Sequence, residues 1–333
     1  MDIDFVVLWV DGNDPVWQVE KAKYQGKALD DSNAPNRFRD WGLMPYWFRA
    51  VEKFTPWVRK IHFVTCGHVP AFLELTHPKL HHVKHTDFLP PEVLPTFSSH
   101  AIEMNLHRIP GLAEHFVYFN DDMFLIRPMP ETAFFQDGLP CTYGGEYPIE
   151  LVGEIGIWQH AAVNDLGLIN AHFDKREQVR QFGGKYINRA YRWQDNIRTR
   201  AAEKLFPNYF TGFKNLHAPA AYRKSTFEAV WNAEPELMAR TTSHRFRSAE
   251  DVNQWVCLWW QIAGGQFAPF NTDNIVSCAD GDTVDELCRI IREQRHDMLC
   301  INDPEKPVDF EALSAQLRGA FGTILPEKSG FER

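Results

Sequence analysis

Two adjacent carboxylates interrupt an apolar stretch of this chain. In FVYFNDDMFLIRP, residues 116–128, Asn120, Asp121 and Asp122 stand between two runs typical of short buried strands. Burying two carboxylates costs free energy unless a cation neutralises them. Mg²⁺ and Mn²⁺ prefer carboxylate oxygens, and Mg²⁺ often shares its coordination with substrate phosphates. We therefore interpret these residues as a site for Mg²⁺ or Mn²⁺, although an exposed hairpin turn would also use Asn and Asp.

A second polar group follows the first apolar run of the chain. WVDGNDP places Asp11, Asn13 and Asp14 directly after that run. A buried parallel strand delivers such a loop to the carboxyl edge of a sheet, where ligands bind in open α/β folds. The same residue types are common in plain turns, so the group alone leaves both readings open.

Several clusters combine cations with histidine or acid. NRFRD contains Arg37, Arg39 and Asp40, NLHAPAAYRK contains His217, Arg223 and Lys224, and SHRFRSAEDV contains His244, Arg245, Arg247, Glu250 and Asp251. A single cluster of this kind is usually an ion-pair network. Several in one acidic chain favour an anionic ligand, because Arg makes planar bidentate contacts to phosphate.

One helix carries a further candidate set. In SHAIEMNLHRIPGL, residues 99–112, His100, Glu103 and His107 are spaced by three and four residues and share one helix face. A surface network would also fit this spacing. Ser98 or Ser99 is the predicted N-cap, and Pro110 with Gly111 is predicted to end the helix.

The elements that position these residues alternate between strand and helix. Apolar runs predict strands at 2–9, 60–67, within 79–89 and at 115–119, with helical spacing at 42–57 and 99–112 between them. Such alternation predicts an α/β fold with a mainly parallel sheet flanked by helices. From about Cys141 to Pro207 the pattern becomes helical and more basic, which predicts a helical insertion. The last 25 or so residues predict a short helix and a frayed tail.

Composition excludes several classes of protein. The chain has 333 residues, 24% charged and 44% hydrophobic, with a net charge of −9. That charge argues against nucleic-acid coating, since phosphate binding needs surplus Lys and Arg. The N-terminal sequence predicts no secretory signal, and no run approaches the ~20 apolar residues of a membrane span. Six scattered cysteines predict reduced thiols in the cytoplasm rather than disulfides or a zinc site.

The polar groups fall within longer blocks that resemble a known family. The blocks are IDFVVLWVDGNDPVW, RFRDWGLMPYWFRAVEKFTPWVRKIHFVTCGHVPAFL, LPTFSSHAIEMNLHRIPGLAEHFVYFNDDMFL, LHAPAAYRK, RFRSAEDVNQWV and CINDPE. In this order they resemble the Stealth family, sugar-phosphate transferases of bacterial capsule synthesis. These are similar to the catalytic part of the animal enzyme that adds N-acetylglucosamine-1-phosphate to lysosomal glycoproteins. LHAPAAYRK departs from the animal relatives, because it lacks their second His after the Pro.

The resemblance implies a reaction. An acceptor hydroxyl would attack the sugar-bearing phosphorus of a UDP-sugar, release UMP and leave a phosphodiester. It implies a nucleotide-sugar transferase (GT-A-like) fold, with residues 1–140 binding the donor, 141–207 on the acceptor side and 208–333 completing the catalytic domain. The implied partners are the UDP-sugar and a glycan acceptor, at a cytoplasmic location that allows peripheral association with the inner membrane face.

The implied roles use the residues already named. Asp121 and Asp122, with Asn120, would hold Mg²⁺ or Mn²⁺. His217 is the first candidate for general base and His100 the second, since imidazole suits proton removal near neutral pH. Arg245 and Arg247 would act on the transferred phosphate, and the expected substrate-binding residues are Asp11, Asn13, Asp14, Arg37, Arg39, Asp40, Arg223 and Glu250. The alternatives are a glycosyltransferase that releases UDP, a nucleotide-sugar hydrolase and a carbohydrate-binding module.

Overall fold

A computed structural model describes residues 1–25, 38, 40–214, 216–273, 275–278, 284–302 and 309–333. Its strands are β1 Ile3–Leu8, β2 Lys60–Thr65, β3 Leu80–Lys84, β4 His115–Phe119, β5 Met123–Leu125, β6 Phe135–Gln136, β7 Leu139–Thr142, β8 Ala220–Arg223, β9 Ala268–Pro269, β10 Ile275–Cys278 and β11 Met298–Ile301. Its helices are α1 Pro15–Tyr24, α2 Met44–Phe54, α3 Ser99–Glu103, α4 Ile157–His172, α5 Lys175–Tyr186, α6 Trp193–Leu205, α7 Lys224–Ala233, α8 Pro235–Ser243, α9 Gln254–Ala263, α10 Val284–Glu293 and α11 Phe310–Ile324.

The central sheet has the strand order β3-β2-β1-β4-β8. The first four of these strands run parallel, and β8 pairs antiparallel to β4 with His115 opposite Arg223 and Tyr118 opposite Ala220. The predicted α/β class with a mainly parallel sheet is therefore confirmed.

Helices cover both faces of this sheet. In β1, Ile3, Phe5 and Val7 point into one apolar cluster with residues of α2, α10 and α11. Val6 points the other way, into a cluster with residues of α4, α7, α8 and α9. A strand buried on both faces reads as a continuous apolar run, which is why the first strand was recognisable in the sequence.

A smaller sheet joins the segment that follows β4 to two strands made much later in the chain. Its order is β10-β11-β5, and β11 pairs antiparallel to β5 with Cys300 opposite Met123. The backbone N–H of Ile301 donates to the carbonyl of Asp122 at 2.9 Å. The segment after β11 is thereby fixed beside the two acids that precede β5.

The helix predicted over residues 99–112 is shorter in the structure. Ser98 is its N-cap, as expected, but α3 ends at Glu103 and a 3₁₀ turn follows at 106–108. Asn105 accounts for the break, because its side-chain amide donates to the carbonyl of Ala101 at 2.8 Å, the acceptor that its own backbone N–H would use.

The predicted frayed tail was wrong. Phe331 is 1% exposed and packs on Phe48 with ring centroids 5.2 Å apart. Glu332 accepts two hydrogen bonds of 2.7 Å from the Arg49 guanidinium. Because the tail buries an aromatic ring and an ion pair, it is part of the folded domain.

Between residues 141 and 207 the chain forms α4, α5 and α6. Lys175 is the first residue of α5, and its Nζ lies 2.5 Å from Glu146 Oε1. Both side chains are buried, with at most 2% of either exposed. Among the described residues no helix is both long and apolar enough to cross a membrane. The cysteines whose side chains are described form no disulfide, in agreement with the predicted thiols.

Candidate active site

The adjacent acids lie in a turn at the carboxyl end of β4. β4 ends at Phe119, and the backbone N–H of Met123 donates to the carbonyl of Asn120 at 3.2 Å to close the turn before β5. Asp121 and Asp122 are both partly exposed there. The residues thus open onto the edge of the parallel sheet where open α/β folds bind their ligands.

Asp122 has an unsatisfied oxygen. Its side chain is 23% exposed overall, yet Oδ1 is buried and accepts no hydrogen bond within the described part of the chain. Burial raises the pKa of this carboxyl, while the nearby His217, Cys300 and Arg247 oppose the rise. A desolvated carboxylate oxygen with no donor is a favourable ligand for a cation.

Three side chains at this point could hold a metal ion together. Ligand atoms of Asp122, His217 and Cys300 all lie within 4.8 Å of one another. His217 precedes β8, the antiparallel neighbour of β4, and Cys300 lies in β11, the neighbour of β5. The set therefore depends on two strand pairings that join distant parts of the sequence.

Hydrogen bonds fix the imidazole of His217. The amide nitrogen of Asn120 lies 3.1 Å from Nε2, and Nδ1 lies 3.0 Å from Asn302 Oδ1. An amide nitrogen can only donate, so Nε2 accepts and Nδ1 carries the proton. In this tautomer the single lone pair of Nε2 accepts from the Asn120 amide, and Asp122 Oδ2 lies 3.8 Å from the same nitrogen.

Asn120 is held in turn by a buried tyrosine. The Tyr118 hydroxyl lies 2.6 Å from Asn120 Oδ1 and 3.2 Å from Glu103 Oε1. Burial and the Glu103 carboxylate raise the pKa of Tyr118 well above its ordinary value, so the phenol stays protonated and can donate. The Asn120 side chain is thereby committed to orienting His217.

The second candidate base, His100, is buried and already paired. It is 5% exposed, and its Nδ1 lies 3.1 Å from Asp251 Oδ2. The other oxygen of Asp251 lies 2.6 Å from His244 Nδ1, and the backbone N–H of Ser248 donates to Oδ2 at 2.8 Å. One buried carboxylate thus positions two histidines and the loop from His244 to Asp251.

The two arginines of this loop differ in their contacts. Arg247 donates to Ser99 Oγ at 2.8 Å and lies close enough to lower the pKa of Asp122. Arg245 donates to the carbonyls of Pro95 at 2.7 Å and Val93 at 3.3 Å. The structure brings Arg247 to the acids and uses Arg245 to hold a neighbouring loop.

The loop after β1 is organised mainly by hydrogen bonds to its own backbone. Asp14 Oδ1 caps α1 by accepting from Trp17 N at 2.8 Å, and Asp11 Oδ1 accepts from Asn13 N at 2.9 Å. His68 Nε2 accepts from Asp11 N at 2.9 Å. Burial raises the pKa of Asp40, and the negative charge of Asp11 adds to the rise. Arg37 and Arg39 lie outside the described residues.

Two other predicted residues are not brought to the site. Arg223 lies opposite His115, at the amino end of β4 rather than its carboxyl end. Its backbone N–H donates to Gln261 Oε1 at 3.0 Å, and its guanidinium donates to Gln266 Oε1 at 3.4 Å. Glu250 is exposed on the loop after Arg247.

The sequence analysis did not assign a role to Cys300 or Asn302. Both belong to CINDPE, which the resemblance included as its last block. That block was the only signal available, because no local spacing shows that β11 pairs with β5.

Comparison with known proteins gives three family matches. The models of Stealth protein conserved regions 1, 2 and 3 match residues 1–28, 37–141 and 216–258. Region 2 contains Asn120 to Asp122, and region 3 contains His217 and Arg247. Cys300 and Asn302 fall outside the matched ranges.

Curated relatives match the full length. The receptor polysaccharide phosphotransferase WefC of Streptococcus gordonii is 38% identical over 336 residues, 99% of this chain and 98% of that one. The capsular polysaccharide phosphotransferase WcwK of Streptococcus pneumoniae is 39% identical, covering 100% and 99%. The exopolysaccharide phosphotransferase cps2G of Lactiplantibacillus plantarum is 38% identical, covering 100% and 96%. Among solved structures, the galactosyltransferase LgtC bound to donor and acceptor sugar analogues matches with a TM-score of 0.39 at 11% identity, covering 99% of this chain and 98% of that one.

Proposed function

Because this chain belongs to the Stealth family, we propose that it transfers a sugar-1-phosphate from a UDP-sugar to a hydroxyl of a glycan. The acceptor oxygen forms a bond to the sugar-bearing phosphorus, the bond from that phosphorus to the bridging oxygen breaks, and UMP leaves with the bridging oxygen. The product is a phosphodiester, and the acceptor proton passes to a base. The proposed setting is polysaccharide synthesis in the cytoplasm at the inner membrane face.

One observation carries the proposal for this site. The unsatisfied Oδ1 of Asp122 lies at the carboxyl edge of the sheet, in a group with His217 and within the field of Arg247. The carboxylate is suited to bind a cation, and the imidazole, with its accepting nitrogen, is suited to take up a proton. The guanidinium is suited to bind a phosphate.

We assign the cation, Mg²⁺ or Mn²⁺, to Asp122 with Asp121. When bound, such a cation neutralises charge on a diphosphate. Asn120 supports the site through His217 rather than as a ligand, since its oxygen accepts from Tyr118 at 2.6 Å. The Cys300 thiol does not suit Mg²⁺, because soft sulfur ligands favour other metals.

His217 is the proposed general base. Its side chain is 38% exposed and its Nδ1–H is anchored on Asn302, so an acceptor hydroxyl would reach Nε2 by taking the place of the Asn120 amide N–H. Arg247 is the proposed phosphate ligand, while Arg245 orders the 93–95 loop beside it. His100 positions Asp251 and its loop.

The remaining assignments concern substrates. Asp11, Asn13, Asp14 and Asp40, together with Arg37 and Arg39, are proposed for the nucleotide end of the donor. The helices within residues 141–207 are proposed to form the acceptor side. Arg223, which pairs with His115 at the amino end of β4, and the exposed Glu250 are given no role in this proposal.

The test is the identity of the nucleotide released. The protein is incubated with a panel of UDP-sugars, Mg²⁺ and glycan acceptors, and the products are identified by mass spectrometry. We expect UMP and an acceptor that is heavier by a sugar phosphate. Release of UDP with an acceptor heavier by the sugar alone would replace the proposal with a glycosyltransferase. Donor turnover at the same rate without any acceptor would replace it with a hydrolase.

A further inference from the structure

Exposed apolar side chains concentrate on the helices of residues 151–209. Ten of the fifteen large hydrophobic residues that are exposed in the described structure fall in this range, which is less than a fifth of the chain. Trp193, Ile197, Leu205 and Phe206 are 67%, 54%, 69% and 56% exposed. Exposed apolar groups concentrated in this way mark an interaction surface.

The same region carries positive charge in an acidic protein. Residues 175–204 contain nine basic and three acidic side chains, a net charge of +6, whereas the whole chain has −9. One of the nine, Lys175, is buried against Glu146. Arg176, Arg180, Arg189, Arg192, Arg200 and Lys204 are exposed, and Glu177 is the exposed acid among the three.

Helix α6 brings the two properties onto one face. Trp193, Ile197, Arg200 and Lys204 are spaced by four, three and four residues, so they form a stripe along the 13-residue helix. Leu205, about 100° further around the helix axis, and the C-cap Phe206 add two exposed apolar side chains at the helix end. We call these six residues the α6 face.

Neighbouring segments extend this face. Lys175 Nζ donates to the carbonyls of Phe206 at 2.9 Å and Tyr209 at 3.2 Å, which brings the start of α5 to the end of α6. Arg176 and Tyr209 line one open pocket of about 430 Å³ at that junction. On the other side Ile149 N donates to Thr211 O at 3.2 Å, and the exposed Leu151 and Val152 follow directly.

We propose that the α6 face docks this protein on an anionic lipid bilayer. Aromatic side chains settle at the headgroup level of a membrane, and Lys and Arg beside them are attracted to anionic lipids. A glycan would call for aromatic rings with polar partners. A symmetric contact with a second copy of the chain would set the cations of one α6 face against those of the other. The proposal does not depend on the reaction proposed above, since binding to lipid needs no donor.

The test is co-sedimentation of the whole protein with vesicles, without substrates. We expect binding to vesicles that contain phosphatidylglycerol, weaker binding as salt is raised, and little binding to pure phosphatidylcholine. Trp193→Ser/Phe206→Ser and Arg200→Gln/Lys204→Gln should each weaken binding by about tenfold or more.

The matched controls are Val16→Ser/Val19→Ser, which removes two residues that are 76% and 60% exposed on α1, and Lys23→Gln/Lys328→Gln, which removes two exposed cations. The controls should bind like wild type.

Several results would overturn the proposal. One is a wild-type protein that stays in the supernatant with phosphatidylglycerol vesicles, and another is unchanged binding by the α6-face variants. A change in sedimentation coefficient of Trp193→Ser/Phe206→Ser without lipid would assign the face to contacts between copies of this chain. Loss of affinity for the acceptor glycan with vesicle binding retained would assign it to the glycan. Circular dichroism and melting temperature establish that each variant is folded, so every outcome is interpretable.

Discussion

Nε2 of His217 lies 3.8 Å from Oδ2 of Asp122, and the protonated Nδ1 of the same ring is anchored on Asn302. The accepting nitrogen and the carboxylate thus face the same small space. A cation bound there and a proton removed there would both compete with the Asn120 amide for the one Nε2 lone pair. Variants that separate the two roles are therefore the informative ones.

Asp122→Asn should abolish turnover and leave the fold intact. Burial raises the pKa of Asp122, which means that its ionised form is unfavourable, so the amide should not lower the melting temperature. Wild type should gain melting temperature with Mn²⁺, since a ligand that binds only the folded state stabilises it, and the variant should not. The same loss of turnover is expected for Asp121→Asn. The control is the exposed Glu150→Gln. Near-normal turnover of Asp122→Asn with Mg²⁺ present would remove the metal assignment.

His217→Ala separates a base from a ligand. As the base, His217 should leave Mn²⁺ affinity unchanged while turnover falls by roughly 10²–10⁴-fold, and added imidazole should restore part of the rate. Mn²⁺ affinity is measured by electron paramagnetic resonance of the free ion. A parallel loss of Mn²⁺ affinity and turnover would instead make His217 a ligand.

Cys300→Ser should keep Mg²⁺-supported turnover and lose sensitivity to cadmium. Sγ of Cys300 lies 3.5 Å from His217 Nδ1, and a soft cation would bind sulfur, imidazole and carboxylate together. The readout is the cadmium concentration that halves the rate in Mg²⁺ buffer. Cys66→Ser is the control, because Cys66 is an exposed thiol outside this group. Equal cadmium sensitivity in Cys300→Ser and wild type would argue against binding at Cys300.

Arg247→Lys and Arg245→Lys should fail in different assays. Lysine cannot reproduce the planar fork of Arg247, so we expect kcat/KM to fall by about 10²-fold at an unchanged melting temperature. Arg245→Lys loses bonds to the carbonyls of Val93 and Pro95 and should cost about 1–3 kcal/mol of stability, with turnover per folded molecule largely kept. The reverse pattern would exchange the two assignments.

His107 makes stability depend on pH. Burial lowers its pKa to about 4, below the ~6.5 of an unfolded chain. The unfolded state therefore binds the proton more tightly, so the stability contributed by neutral His107 is complete above pH 6.5 and is lost as pH falls toward 4. His107→Phe should flatten this dependence by up to about 1.4 kcal/mol per pH unit. Urea midpoints at pH 7.5 and 5.0 measure it, and an equal drop in both proteins would contradict it.

The sequence was sufficient where the signal is local. The first strand was predicted at residues 2–9 and is Ile3–Leu8, because burial on both faces leaves an unbroken apolar run. Asp122 was recognisable because a charged residue is unexpected next to an apolar run of this kind. Ser98 was recognisable as a cap because capping needs only a short polar side chain before a helix.

Contacts between distant segments were not predictable in this way. Cys300 lies beside Asp122, and Asn302 contacts His217, because β11 pairs with β5. In this pairing Cys300 lies opposite Met123, a residue 177 positions earlier in the sequence. Arg245 and Arg247 look equivalent in RFR. Arg245 donates to backbone carbonyls, however, whereas the charge of Arg247 lowers the pKa of Asp122. The apolar spacing of the helix continued past Asn105, but the helix ends before it. The Asn105 side chain donates to the Ala101 carbonyl, which the next backbone hydrogen bond of the helix would have used.

The pairing of β11 with β5 also has a consequence for biosynthesis. A ribosome makes the segment from Asn120 to Leu125 long before it makes the segment from Met298 to Asn302. Until the later segment emerges, β5 lacks its antiparallel neighbour and His217 lacks the Asn302 oxygen that holds its ring. The first half of the domain also packs on α10 and α11, which are made later still or at the same stage. The chemistry of the site is withheld until β11 and Asn302 have been made, so a nascent or truncated chain that lacks them is expected to be catalytically silent.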